Sequence, residues 1–135
     1  MEQIVWSDNF SVGVKLFDDQ HKRLIAMLNK MIKNPMATTK SETVSDVLSD
    51  MTNYAQQHFK SEEDLMIEHG YPHLEQQKKQ HKEFREKVLK LCTATSYEVE
   101  AVPQVLLDYL KQWLTQHILH EDMEYKTFFE EKGVC

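Results

Sequence analysis

Three glycines and three prolines are spread over 135 residues, and their scarcity limits the fold more than any other feature. An all-β chain of this length turns often and draws on Gly and Pro to do so. Here Asn34-Pro35 ends one apolar run, Gly70-Tyr71-Pro72 divides the chain near its middle, and Pro103 stands at the start of another run. The stretches between these breaks carry apolar residues at spacings of three and four, so the sequence predicts helices.

The first predicted helix starts near Asp18-Asp19, whose charges suit a helix N-terminus, and carries Leu24, Leu28, Met31 and Ile32. The second runs from about Glu42, capped by Ser41, to about His69, where Gly70 can take the left-handed position past the helix end. A third, after Pro72, sets Gln77, His81, Phe84 and Val88 along one side and Lys78, Lys79, Lys82 and Arg85 along the other, ending in Thr93-Ala94-Thr95-Ser96. The fourth begins at Pro103 and repeats Val105, Leu106, Tyr109, Leu110, Trp113, Leu114, His117 and Ile118. Residues 1–17, with Trp6, Phe10 and Gly13, lack a helical period and read as an arm laid over the bundle, while Tyr125, Phe128 and Phe129 suit a short C-terminal helix. Four amphipathic segments on short connections predict an all-α protein, an antiparallel up-down four-helix bundle forming a single domain over 1–135.

Charge and composition narrow the partners. A net charge of -6, with no basic stripe, argues against a nucleic-acid groove and against a polybasic membrane surface. No run of about 18 apolar residues and no charged-then-apolar leader is visible, so a cytoplasmic location is the expectation. Cys92 and Cys135 have neither the number nor the spacing of a disulfide framework or a zinc knuckle, and read as free thiols.

The chemistry-bearing residues fall on the predicted helices. His58 and Glu62 lie four residues apart, about 40° of rotation and about 6 Å of rise, so they share a face. His21 belongs to the first helix, His81 to the third, and His117 to the fourth with Asp122 five residues on. A single core histidine is ordinarily a hydrogen-bonded structural residue. Four imidazoles and two carboxylates in one small core carry a large desolvation cost unless they are paired or bind metal. Five residues on a regular α-helix separate His117 from Asp122 by about 140°, so both can face one metal site only if the helix widens or ends between them. His69, His73 and His120 read as surface residues.

Asp19-Gln20-His21, His58-Phe59-Lys60-Ser61-Glu62-Glu63, Gly70-Tyr71-Pro72, His81 and Trp113-Leu114-x-x-His117-Ile118-x-x-x-Asp122 together resemble the single-domain bacterial members of the hemerythrin family over nearly the whole chain. The resemblance implies a non-haem centre of two iron ions, Fe(II)/Fe(III), with a bridging oxo or hydroxo group, that binds O2 reversibly. It places His21 and His58 on one iron, His81 and His117 on the other, and Glu62 and Asp122 between them, with Phe59, Trp113, Leu114 and Ile118 lining the O2 pocket. Carboxylates and imidazoles without thiolates suit iron or manganese. The chain departs from the family where it carries Gln77, four residues before His81, in place of a histidine. His73 is no substitute, lying about 12 Å along and about 80° around an ideal helix from His81. Gln77 could coordinate through its carbonyl, hydrogen-bond a ligated water, or leave a position open.

Two function classes follow. The first is a binding protein that carries, stores or senses O2, and the lack of a Ser-His-Asp set agrees with it. The second, raised by Gln77, is a di-iron redox enzyme acting on peroxide, O2 or nitric oxide, which calls for an electron donor as a further partner.

Overall fold

A computed structural model describes residues 2–135. Four helical rods make up the bundle: α1 (Lys15–Ile32), α2 (Glu42–His69), α3 (Leu74–Ser96), and a fourth built from α4 (Val102–Gln112), a π-helical segment (Trp113–Asp122) and α5 (Met123–Glu131). α1 packs on α2, α2 on α3, and the fourth rod closes the ring between α3 and α1. The described residues contain no strand, and no helix among them is long and apolar enough to cross a membrane.

α1 begins three residues ahead of the expected start because Asp18 serves the arm rather than opening the helix. Its carboxylate accepts from the Ser11 hydroxyl at 2.6 Å and the Val12 backbone N–H at 2.8 Å. Val14 caps the helix without a side-chain bond, and the free N–H of Lys15 is satisfied by the carbonyl of Cys135 at 3.0 Å. The arm lies on the bundle as expected: Asn29 clamps Ile4 by both N–H and carbonyl at 2.7 Å, and Trp6 and Phe10 pack on the core.

α2 matches its expected limits. Ser41 is the cap residue, although its hydroxyl turns back to accept from the Thr38 N–H at 2.8 Å. At the far end Gly70 takes φ +71°, which lets the Tyr71 N–H reach back to the Met66 carbonyl at 2.9 Å. α3 ends in Thr93–Ser96 as expected, those residues forming its last turn. The short C-terminal helix is present as α5, continuous with the fourth rod, since Gln112, Asp122 and Met123 all hold right-handed helical dihedrals.

The interior is layered. One apolar cluster, including Leu24, Leu28, Met51, Tyr54, Phe59, Phe84 and Leu110, fills most of the bundle. A second, including Val12, Phe17, Met66, Tyr71, Tyr125 and Phe129, fills the end nearest the arm. Along each rod the buried polar residues fall where one cluster gives way to the other, with Phe59 and Ile118 of the first cluster interleaved among them.

Candidate metal centre

Helical spacing delivers the polar layer. On α2, Tyr54, His58, Glu62 and Met66 recur every four residues and all are buried. On α1, His21 follows Phe17 by four, and on α3, Gln77, His81 and Phe84 form one stripe. The fourth rod brings His117 and Asp122 inward together across five residues because it is π-helical there, where i→i+5 bonding sets such residues above one another. His21, His58, Glu62, His81 and Asp122 are fully buried, and His117 is 3% exposed.

Four imidazoles turn Nε2 toward two carboxylates. His58 Nε2 lies 3.1 Å and His81 Nε2 3.2 Å from Glu62 Oε1. His117 Nε2 lies 3.0 Å from Asp122 Oδ1, and His21 Nε2 3.2 Å from Asp122 Oδ2. His21 and His58 approach each other at 2.9 Å through the same nitrogens. Behind three of the rings the outer nitrogen is tied down: His58 Nδ1 to Gln20 Oε1 at 2.5 Å, His81 Nδ1 to Glu63 Oε2 at 2.7 Å, and His117 Nδ1 to Gln80 Oε1 at 2.5 Å. Oxygen acceptors fix the proton on Nδ1 and point the Nε2 lone pair inward. Tyr125, from α5, donates its hydroxyl to Glu62 Oε2 at 2.5 Å.

Both carboxylates are held ionised. Burial alone would raise Glu62, but His58 and His81 hold it well below the usual carboxylate range. Burial and the neighbouring Glu62 would raise Asp122, and His117 and His21 outweigh them and lower it. Burial lowers His58 despite Glu62. For His81, burial acts the same way, yet Glu62 and Glu63 on its two nitrogens hold it up at about 9.

These residues fit a metal. Imidazole nitrogens face ionised carboxylate oxygens at near-contact, an arrangement that only a proton, as on His81, or a metal cation relieves. Glu62 Oε1, Asp122 Oδ2, His81 Nε2 and His117 Nε2 are buried without a hydrogen-bond partner among the described residues. The donors form two groups able to hold one ion each, His21, His58, Glu62 and Asp122 in the first, and Glu62, His81 and His117 in the second, so Glu62 belongs to both.

Gln77 also joins the layer, 2% exposed. Its amide nitrogen donates to Asp122 Oδ1 at 3.1 Å and to the Glu121 carbonyl at 3.5 Å. Phe59 stacks on His81 with centroids 4.0 Å apart and Trp113 on His117 at 3.9 Å, while Leu114 and Ile118 belong to the main cluster. His73 and His120 are exposed, whereas His69 is half-buried against Phe129. Gln20, Glu63, Gln80 and Tyr125 carry no site role in the sequence reading, although Gln20 and Glu63 stand in its motifs and Tyr125 in its short C-terminal helix. Their signal is adjacency for the first three, each being next to His21, Glu62 or His81 in the chain, but each serves a ring on the following rod.

Residues 12–129 match the family model described as "Hemerythrin HHE cation binding domain". The chain belongs to the hemerythrin family. Among curated hemerythrins it is 32% identical over 125 residues to a bacteriohemerythrin of Clostridium acetobutylicum, covering 90% of this chain and 97% of that protein. It is 31% identical to a bacteriohemerythrin of Stenotrophomonas maltophilia, over 93% of this chain and 80% of the other. A hemerythrin-like protein of Naegleria gruberi is 30% identical over 90% of this chain and 89% of its own length.

Proposed function

We propose that the centre holds two iron ions and binds O2, as a carrier, store or sensor. His21 and His58 serve one ion, His81 and His117 the other, and Glu62 and Asp122 are shared between them. The observation that carries this reading is the pair of donor groups joined through Glu62, with Asp122 contacting a histidine of each. When bound, the iron pair supplies the reversible electron transfer on which O2 binding depends. The protein's own part is to orient and to exclude water. Gln20, Glu63 and Gln80 fix three imidazoles, Tyr125 fixes Glu62, and Phe59, Trp113, Leu114 and Ile118 wall the site in apolar surface. The reading treats residues 1–135 as one domain acting in the cytoplasm.

A second reading, a redox enzyme acting on peroxide, O2 or nitric oxide with an electron donor, is favoured by Gln77, whose amide supplies no imidazole to the His81 and His117 group. Iron analysis of protein reconstituted anaerobically with ferrous iron tests the shared centre. Two irons per chain are expected, falling to one or fewer in Glu62→Ala and in Asp122→Ala; one iron per chain, unchanged by both substitutions, would sink it. Repeated admission and removal of O2 then separates the two readings, since a carrier returns its ferrous spectrum and a redox enzyme does not.

A further inference from the structure

The orientation of the Gln77 amide is fixed by its partners. Its nitrogen faces Asp122 Oδ1 and the Glu121 carbonyl, two acceptors, and the flipped amide would set oxygen against both. The carbonyl oxygen Oε1 is therefore the free end, and it is buried without a hydrogen-bond partner among the described residues. It lies on the same amide whose nitrogen contacts Asp122 Oδ1, and that oxygen is 3.0 Å from His117 Nε2. Gln77 thus offers an acceptor at the edge of the donor group formed by Glu62, His81 and His117. A buried acceptor without a donor is unfavourable until something donates to it.

We propose that Gln77 is a specificity-determining residue that selects, at the His81 and His117 metal position, small ligands carrying a proton on or beside the coordinating atom. Hydrogen peroxide and its relatives with O–H or N–H bonds belong to this class; O2, nitric oxide and azide, which only accept, do not. The inference rests on the two-metal reading above and adds the ligand class of its second position. Gln77 keeps Asp122 in place with its nitrogen and receives the ligand's proton donor with its oxygen, and it is not itself a metal ligand.

Cobalt(II) in place of iron keeps electron transfer out of the test. Anaerobic optical titrations with hydroxylamine, a donor shaped like hydrogen peroxide, and with azide give a preference ratio for the wild type and for Gln77→Met. The preference for hydroxylamine over azide is expected to drop roughly fivefold to tenfold in the variant, the worth of one buried hydrogen bond. Gln77→Asn, which keeps an amide but withdraws it by one carbon, is expected to lose the preference in the same direction and serves where the methionine variant does not fold. An unchanged ratio overturns the proposal, as does a wild-type spectrum that neither ligand perturbs. Loss of one of two bound cobalt ions from Gln77→Met, with the ratio intact, makes Gln77 a ligand and also overturns it. A wild type that takes up fewer than two cobalt ions instead removes the two-metal reading, and the inference with it.

Discussion

Tyr125 and Glu62 show how much one side chain can hold in this interior. The phenol's hydrogen bond at 2.5 Å is directed at the one Glu62 oxygen that no histidine approaches, and both residues are fully buried. Removing it in Tyr125→Phe leaves a desolvated carboxylate oxygen without a donor, at a cost of about 1–3 kcal/mol to the metal-free protein. Urea unfolding of the two proteins measures this directly, and equal midpoints would mean that Glu62 finds another donor. Gln77→His makes the opposite kind of change. An imidazole there adds a donor to iron where the wild type has an amide engaged with Asp122, so the variant is expected to release iron to a chelator more slowly and to pass from ferrous to ferric in air more slowly than the wild type. A variant that matches or exceeds the wild type in both rates rejects that account.

At the scale of elements, the fourth rod carries the least regular backbone and two of the centre's residues, His117 and Asp122. Hydrogen exchange of backbone amides in the metal-free protein is expected to be faster across Trp113–Asp122 than across Tyr54–Glu62 of α2, and metal loading is expected to slow the first stretch most, since His117 and Asp122 pin its middle and its end. Equal protection of the two stretches before and after loading would contradict this. A distortion there was legible, since a five-residue spacing between His117 and Asp122 cannot serve one site on a regular helix; that the helix widens and does not end was decided by the structure. The limits of α2 were legible too: Gly70 is a local signal whose effect does not depend on the rest of the chain, and the helix starts at Ser41 as read although the Ser41 hydroxyl serves Thr38 instead of capping it. The start of α1 was not. Asp18 suits a first turn, but its use was decided by Ser11 and Val12 folding back onto it, a contact that periodicity does not contain. Residues that hold the imidazoles from behind were invisible for a related reason, since Gln20, Glu63 and Gln80 each act on a different rod from their own. His69 read as surface for lack of any sign that Phe129 would reach it.

Over the whole molecule, burial of phenols sets an alkaline limit. Burial, followed by the carboxylates of Glu124, Asp122, Glu121 and Glu62, pushes Tyr71 up to about 12, and burial drives Tyr54, Tyr109 and Tyr125 in the same direction. A folded value above the unfolded one, about 10, means that the fold favours the protonated phenol. The stability this contributes is intact below about pH 10 and is lost as pH rises toward about 12. Urea midpoints measured across that window should fall for the wild type and fall less steeply for Tyr71→Phe; parallel decline would assign the loss to other groups. The bonds that hold the rings also tie the rods together. Gln20 on α1 grips His58 on α2, Glu63 on α2 grips His81 on α3, Gln80 on α3 grips His117 on the fourth rod, and Tyr125 farther along that rod returns to Glu62 on α2. Each of these bonds crosses from one rod to another. Any turn of α2 about its long axis that displaced His58, Glu62 and Glu63 would have to break, or carry with it, the bonds to Gln20 on α1, His81 on α3 and Tyr125 on the fourth rod, so that the orientation of this one helix is held by all three of the others.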